Sequence, residues 1–458
     1  MVESHTPPAG ERPLVIDLDG ALLRSNLLVE MLFGFIGHSP LQALRLLFCL
    51  RGGRVAFMRQ LAKVVDINAA KLPYDEAVVS RVREARAEGR RIYLLSGYDE
   101  GLVRAISNHL GGFDGLFIAE GISDLAARAN TTGLVAAFGE NDFDFIGNGN
   151  RALAPKGPMT VADGLAQQPR QWRAMWRLLR PHQWAKNALL GVAVLTAHQF
   201  TWVALWAALG AVAFSACSSA AYIFNDLVDV QADRDHPSKR ERPFASGEVS
   251  FAEGAILACL CLAFAVAIAA AISWSFLHVL VLYLALTIVY SLILKRKLLM
   301  DVITLAVLYT VRVIAGATAI QVPMSEWLLT FSLFIFLSLA LVKRHSELAM
   351  RLDFGLPDPV NRSYRTDDLS VVFALAAASG YCAVVVLTLY LSSDTVRALY
   401  SHPSVLWLGC PICIYWISRL LMLSHRRMLH DDPVVFTVTD RVSWATATLL
   451  IIIGFLAA

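Results

Sequence analysis

Residues 202–243 read WVALWAALGAVAFSACSSAAYIFNDLVDVQADRDHPSKRERP, and the change of character inside that stretch decides the architecture. As far as Phe224 it is an uncharged apolar run, close to the roughly 20 residues a helix needs to cross a bilayer. From Asn225 it turns polar: Asp226, Asp229, Asp233 and Asp235 come first, then Lys239, Arg240 and Arg242. If the helix continues past Phe224, then Asp226, Asp229 and Asp233 fall at i, i+3 and i+7, on one face. Like charges stacked there destabilise the helix by a few tenths of a kcal/mol per pair, so something must compensate them. Mg²⁺ favours hard oxygen ligands and commonly bridges to substrate phosphates. The bases that follow suit the remaining phosphate charge, Arg through its bidentate fork. A solvated helix end with scattered salt bridges is the plain alternative.

The rest of the chain repeats the pattern. Of 458 residues 56% are hydrophobic and 17% charged, and the mean hydropathy is +0.54. A disordered chain is excluded, and a net charge of +3 is too balanced to argue for nucleic acid. Apolar runs at 187–201, 202–224, 251–274, 276–294, 302–321, 326–342, 369–391, 403–423 and 442–458 predict an all-α membrane bundle of nine transmembrane helices. Alternate connections hold fifteen Lys and Arg against Arg397 alone on the other side. By the positive-inside rule that puts the rich loops, and the N-terminal domain with them, on the cytoplasmic side of the inner (cytoplasmic) membrane. Residues 1–155 carry soluble helix and strand patterns; 156–177, rich in Ala, Pro, Gly and Gln, read as a linker; 178–458 form the membrane domain. Cys410 and Cys413 form a C-x-x-C inside an apolar run and read as buried thiols.

A second polar cluster surrounds the fifth run: Tyr290, Lys295, then Asp301 opening it, with Tyr309 and Arg312 inside. A charged side chain in mid-span costs about 2.5–3.5 kcal/mol on insertion scales, so Arg312 should face the bundle interior. A structural pair with an aspartate and a site for an anionic substrate both satisfy that. Lys186 enters the first run as an interfacial anchor or a ligand-binding residue. Lys343 and Arg344 close the sixth, where snorkelling is the ordinary reading.

Two Asp-bearing cytoplasmic loops on a helical bundle resemble the UbiA superfamily of intramembrane prenyltransferases. The motifs R-P-x-Q-W-x-K-N, N-D-x-x-D-x-x-x-D-x-x-H-P-x-K-R-x-R-P, Y-S-x-x-L-K-x-x-x-x-x-D, Y-x-x-R-x-I-A-G and H-D-D-P-V-x-F are most similar to its decaprenyl-phosphate phosphoribosyltransferase branch. The resemblance implies transfer of 5-phosphoribosyl from phosphoribosyl diphosphate (PRPP) to a polyprenyl phosphate, in a cell-wall precursor pathway. It implies Mg²⁺ on Asp226, Asp229 and Asp233, with Asp301 also in the catalytic set. Asn225, Lys186, Lys239, Arg240, Arg242, Tyr290, Lys295, Tyr309, Arg312 and Arg344 would bind substrate.

The N-terminal half is a candidate α/β (Rossmann-like) domain. Leu14-Val-Ile-Asp17-Leu-Asp19-Gly20 is a short strand ending in D-x-D-G, and Arg91-Ile-Tyr-Leu-Leu-Ser96-Gly97 repeats strand then hydroxyl. Both resemble the first two motifs of the haloacid dehalogenase (HAD) phosphatases, with residues 25–75 as a helical cap. The resemblance makes Asp17 the nucleophile and Asp19 the general acid/base. The later Lys and acidic positions fall on Asn130, Asn148 and Ala152, so the motifs are degenerate and the expected phosphatase is weak or inactive.

Three alternatives stay open. One is a prenyltransferase that uses an allylic diphosphate on an aromatic or other small acceptor. The second is a bifunctional synthase-phosphatase. The third is a transporter or membrane scaffold tethering a pseudo-phosphatase. In any of these readings an inactive N-terminal half would serve as a scaffold, a regulator or a homo-oligomer surface.

Overall fold

The computed structural model describes residues 12–19, 21–39, 67–118, 134–139, 142–147, 159–161, 171–197, 199, 201–235, 239–358, 362–394, 396, 400–429 and 433–457. Most of the expected cap, together with Asn130, Asn148 and Ala152, lies outside them. The chain divides into two compact units. One is Met1–Leu179 with Tyr222–Ala258; the other is Arg180–Ala221 with Cys259–Ala458.

The first unit contains a parallel sheet of β1 (Leu14–Asp17), β2 (Ile92–Ser96), β3 (Gly115–Ile118), β4 (Asp144–Gly147) and β5 (Met159–Val161), in the order β3-β2-β1-β4-β5. β1 is central, and alternate residues feed opposite faces. Leu14 and Ile16 join one apolar cluster, and Val15 joins another with Leu95, Phe143 and Phe145. Burial on both faces explains why Leu14, Val15 and Ile16 are all apolar and do not alternate with polar residues. Helix α1 (Leu27–His38) begins where the Asn26 side chain accepts a hydrogen bond from the Val29 peptide N–H, an N-cap.

The span 156–177, expected as a linker, includes a described strand and most of a described helix. Met159–Val161 pairs with β4 as the sheet's edge. Gln171–Leu179 is a helix, α2, with Ala174 and Leu178 buried. A three-residue strand among Ala, Pro and Gly is too short to leave a periodic signal.

Seven described helices are long and apolar enough to cross a membrane, eight if the bent pair Pro433–Thr439 and Arg441–Ala457 counts as one. The nine expected are therefore not reached. The run at 187–201 forms no spanning helix among the described residues, because Pro181–Leu190 winds as a 3-10 helix before a short α-helix at Gly191–Thr196. A Cβ added at Gly316 would stand 2.1 Å from the Leu190 carbonyl oxygen, so this segment lies directly on the helix Met300–Ala319. That helix is the most deeply buried of the seven described spans, whereas Phe251–Ile272 is mostly exposed. It also carries Asp301, Tyr309 and Arg312. Glu326–Asp353 runs past the expected end at 342 because good helix formers continue to Gly355, whose φ of +61° ends it.

Candidate active site

Helix α3 (Ala204–Val228), which enters the first unit at Tyr222, stops at a turn on Asp229 and resumes as α4 (Val230–Asp235). The peptide N–H of Asp229 donates to the Asn225 carbonyl at 2.9 Å, and that of Asp233 to the Asp229 carbonyl at 2.8 Å. The helical path thus carries through the motif. Asp226 and Asp233 are buried, and Asp229 is half-buried. Arg242 returns from the following loop, and its Nη1 donates to Asp226 Oδ1 at 3.1 Å and to Asp233 Oδ2 at 2.6 Å. Burial, with Asp226 adding repulsion, pushes Asp233 up to about 6 against the pull of Arg242. Lys239 and Arg240 are exposed.

Among the described residues no three His, Cys, Asp or Glu side chains gather as a metal site, so the expected Asp226–Asp229–Asp233 set is not assembled as three ligands. Two carboxylate oxygens nevertheless converge on one cationic group. A pair of hard oxygen donors suits Mg²⁺, which keeps several waters and takes further ligands from substrate phosphates. The residues fit a divalent ion, which Asp226 and Asp233 would hold.

The second unit holds a different cluster. Arg312 is 5% exposed. Its Nε donates to Asn187 Oδ1 at 3.0 Å, Nη1 to the Leu308 carbonyl at 2.7 Å and Nη2 to Tyr283 Oη at 2.8 Å. Its Cζ lies 4.7 Å from the Tyr283 ring centre and 5.4 Å from that of Tyr309. The buried Lys186 Nζ stands 5.6 Å from the Tyr309 ring, which stacks on Phe336. Every hydrogen-bond partner of Arg312 is neutral, and among the described residues it forms no ion pair. The structural pair with an aspartate is not what holds it.

Asp301 is held differently from its catalytic expectation. It is fully buried. Oδ2 accepts from Arg344 Nη2 at 2.6 Å, Oδ1 accepts from the Tyr364 hydroxyl at 2.6 Å, and Arg362 Nη1 stands 3.6 Å away. Arg344, 1% exposed, also pairs with Glu347, so it does not snorkel. Lys295 is buried in the turn Leu294–Arg296, and Tyr290 is half-buried. Asp301 thus ties Arg344, Tyr364 and Arg362 together at the start of its helix.

At the C-terminal end of β1, burial with Asp19 beside it pushes Asp17 up to about 7. Burial lifts Asp19 to about 6 against a hydrogen bond from Tyr98. Ser96 is buried at the end of β2, its Oγ accepting from the Tyr98 peptide N–H at 3.2 Å. In parallel α/β sheets this edge, beside the strand where the order reverses, is where ligands bind.

Residues 187–439 match the sequence model of the UbiA prenyltransferase family. The chain belongs to that family. It is accordingly an integral membrane protein of a transferase family. Along 96% of its length this UbiA chain is 36% identical to the uncharacterized protein y4nM of Sinorhizobium fredii, covering 89% of that protein. It is 32% identical over 210 residues to a decaprenyl-phosphate phosphoribosyltransferase of Mycobacterium tuberculosis, covering 44% of this chain and 70% of that one. A UbiA homologue from Archaeoglobus fulgidus, solved with GPP and Mg²⁺, superposes with a TM-score of 0.48 at 19% identity, over 62% of this chain and 99% of that one.

Four residues of the UbiA chain's clusters escaped sequence reasoning as site groups: Asn187, Tyr283, Arg362 and Tyr364. Asn187 and Tyr283 are polar groups inside apolar runs, a signal that was available. Nothing local marks Arg362 or Tyr364 as partners of Asp301, some sixty positions earlier.

Proposed function

We propose that this chain transfers 5-phosphoribosyl from PRPP to a polyprenyl phosphate and releases diphosphate. The observation that carries the reading is Arg312. A buried guanidinium in a membrane helix is costly unless compensated. Here its neighbours leave its charge unbalanced, as a site for an anionic phosphate requires. The 32% identity to a decaprenyl-phosphate phosphoribosyltransferase supports the same substrates.

In this reading Asp226, Asp229 and Asp233 serve the Mg²⁺–diphosphate end of the donor, assisted by Asn225, Lys239, Arg240 and Arg242. Bound Mg²⁺ would neutralise charge on the leaving diphosphate. Asp226 and Asp233 would hold the ion, and Arg242, which bonds both carboxylates, would supply positive charge to the phosphate oxygens. Arg312 and Lys186, steadied by the Tyr309 and Tyr283 rings, bind phosphate, while Asp301, Arg344, Lys295 and Tyr290 organise the second loop. The bond from the anomeric carbon to diphosphate breaks, and its electron pair leaves with diphosphate. A lipid phosphate oxygen forms the new bond. That phosphate is already anionic, so no strong base is needed. The reactive loops face the cytoplasm, and the N-terminal unit is a HAD-like domain without strong phosphatase activity.

The test incubates purified protein with labelled PRPP, Mg²⁺ and a polyprenyl phosphate, beside a rival mixture of geranyl-type diphosphate and 4-hydroxybenzoate. Labelled lipid in the first mixture alone, abolished by Asp233→Ala or EDTA, is expected. Product solely in the rival mixture overturns the proposal.

A further inference from the structure

The acidic loop is fastened to the α/β half of its own unit by a buried ion pair that no sequence motif announces. Glu30, on α1, is 1% exposed. Its Oε2 accepts from Arg234 Nη2 at 3.0 Å and its Oε1 accepts from Nη1, with side-chain exposures of 0% for Glu30 and 6% for Arg234. The Ser25 hydroxyl donates to Oε2 at 3.2 Å and holds the carboxylate in place. Arg234 uses its third donor, Nε, on the Ala245 carbonyl at 3.1 Å. One guanidinium therefore spans α1, the helix α4 that carries Asp233, and the turn just beyond Arg242. Arg234 follows Asp233 directly, and Ala245 lies three residues after Arg242.

Packing reinforces the pair on either side. The Phe33 ring meets Phe224 edge-on at 6.3 Å between centres. A Cβ at Gly37 would stand 2.6 Å from a Val228 methyl group, so α1 lies against the end of α3 with no room for a larger residue. Lys71 pairs with Asp235. Gly247, at φ +73°, brings the turn against Arg24 and Pro73. The contacts bracket the motif from Phe224 to Gly247.

We infer that Glu30 is a positioning residue for the acidic loop: through Arg234 it fixes the spacing of Asp233 and Arg242, on which cation and diphosphate binding depends. The α/β half then acts as a brace for the transferase loop, a role that needs no phosphatase chemistry. The inference rests on the proposed reaction only in taking a Mg²⁺–diphosphate complex as the loop's ligand.

The experiment uses the full-length protein in detergent or nanodiscs, with Mg²⁺ and inorganic diphosphate as the probe. Hydrogen exchange over residues 230–247 is followed in the wild type, Glu30→Gln, Arg234→Gln and the charge swap Glu30→Arg/Arg234→Glu. Glu30→Gln should lose exchange protection in that segment and raise the half-saturating diphosphate concentration about tenfold. Its kcat, where transfer is observed, should change less than threefold. Arg234→Gln should do the same, with no added effect in the double Gln variant, and the swap should recover part of both losses. Unchanged diphosphate affinity and protection in Glu30→Gln overturn the inference, as does a uniform drop in active fraction with KM unmoved. Absence of phosphoribosyl transfer in the wild type would sink the proposed reaction instead, and the binding and exchange readouts would still decide the role of Glu30.

Discussion

Replacing Arg312 by Gln separates a ligand-binding arginine from a structural one. The substitution removes a charge and leaves behind only neutral partners: Asn187, the Leu308 carbonyl and the Tyr283 hydroxyl. Unmade hydrogen bonds of that kind cost about 1–3 kcal/mol, and removal of an uncompensated buried charge offsets part of it. Arg344→Gln is the control. It strands Asp301, which is 0% exposed, and breaking a buried pair costs about 3–5 kcal/mol. Arg312→Gln should therefore melt above Arg344→Gln. Its binding should suffer more, because a hydrogen bond from a charged group to phosphate contributes roughly 1.5–3 kcal/mol, which is about a 10–150-fold loss of PRPP affinity. Thermal melts of both variants across a PRPP titration, with Mg²⁺ present, measure stability and affinity together, since the upward shift follows the ratio of ligand to Kd. If Arg312→Gln melts no higher than Arg344→Gln and keeps the wild-type PRPP shift, Arg312 is a structural group and the reasoning fails.

Two further outcomes follow from the geometry. Asp17 is pushed up to about 7. Its folded form therefore holds a proton the unfolded chain has released. Its own contribution to stability should fall as pH rises from about 4 to about 7, by at most ~1.4 kcal/mol per unit, and then level off. Asp19, raised to about 6, adds to the fall below that pH. Asp17→Asn should flatten that slope in denaturation of the full chain at pH 5 and pH 8; an unaltered slope would place the effect elsewhere. Gly316→Ala should destabilise by about 1–3 kcal/mol through overpacking, because its Cβ would meet the Leu190 carbonyl at 2.1 Å. It should also weaken PRPP binding, since Asn187 lies on the segment displaced; a wild-type melt and affinity would show that the segment yields freely.

Run length and uncharged composition made most of the bundle legible, because a spanning helix must be apolar whatever it packs against. They failed at 187–201, where Pro181–Leu190 winds as a 3-10 helix and Leu190 packs against Gly316, a contact distant in sequence. The acidic motif and Arg312 were readable as chemistry since charge next to or within an apolar run demands a reason. What partner each charge takes was not readable. Asp301 reads in the sequence as a further catalytic carboxylate, and in the structure Arg344 and Tyr364 bond its two oxygens. Glu30 and Arg234, 204 positions apart, share no local pattern.

The discontinuous first unit bears on biogenesis. The apolar cluster that joins Val29, Phe33, Ala174 and Leu178 to Ile223, Leu227, Val230, Phe244, Val249 and Phe251 cannot close until the ribosome has delivered the chain through that last phenylalanine. By then the translocon has already received the segment Ala204–Val228. Completion of the N-terminal unit is thereby scheduled after insertion begins, and a fragment cut at Leu179 would be released with a sticky, uncovered flank.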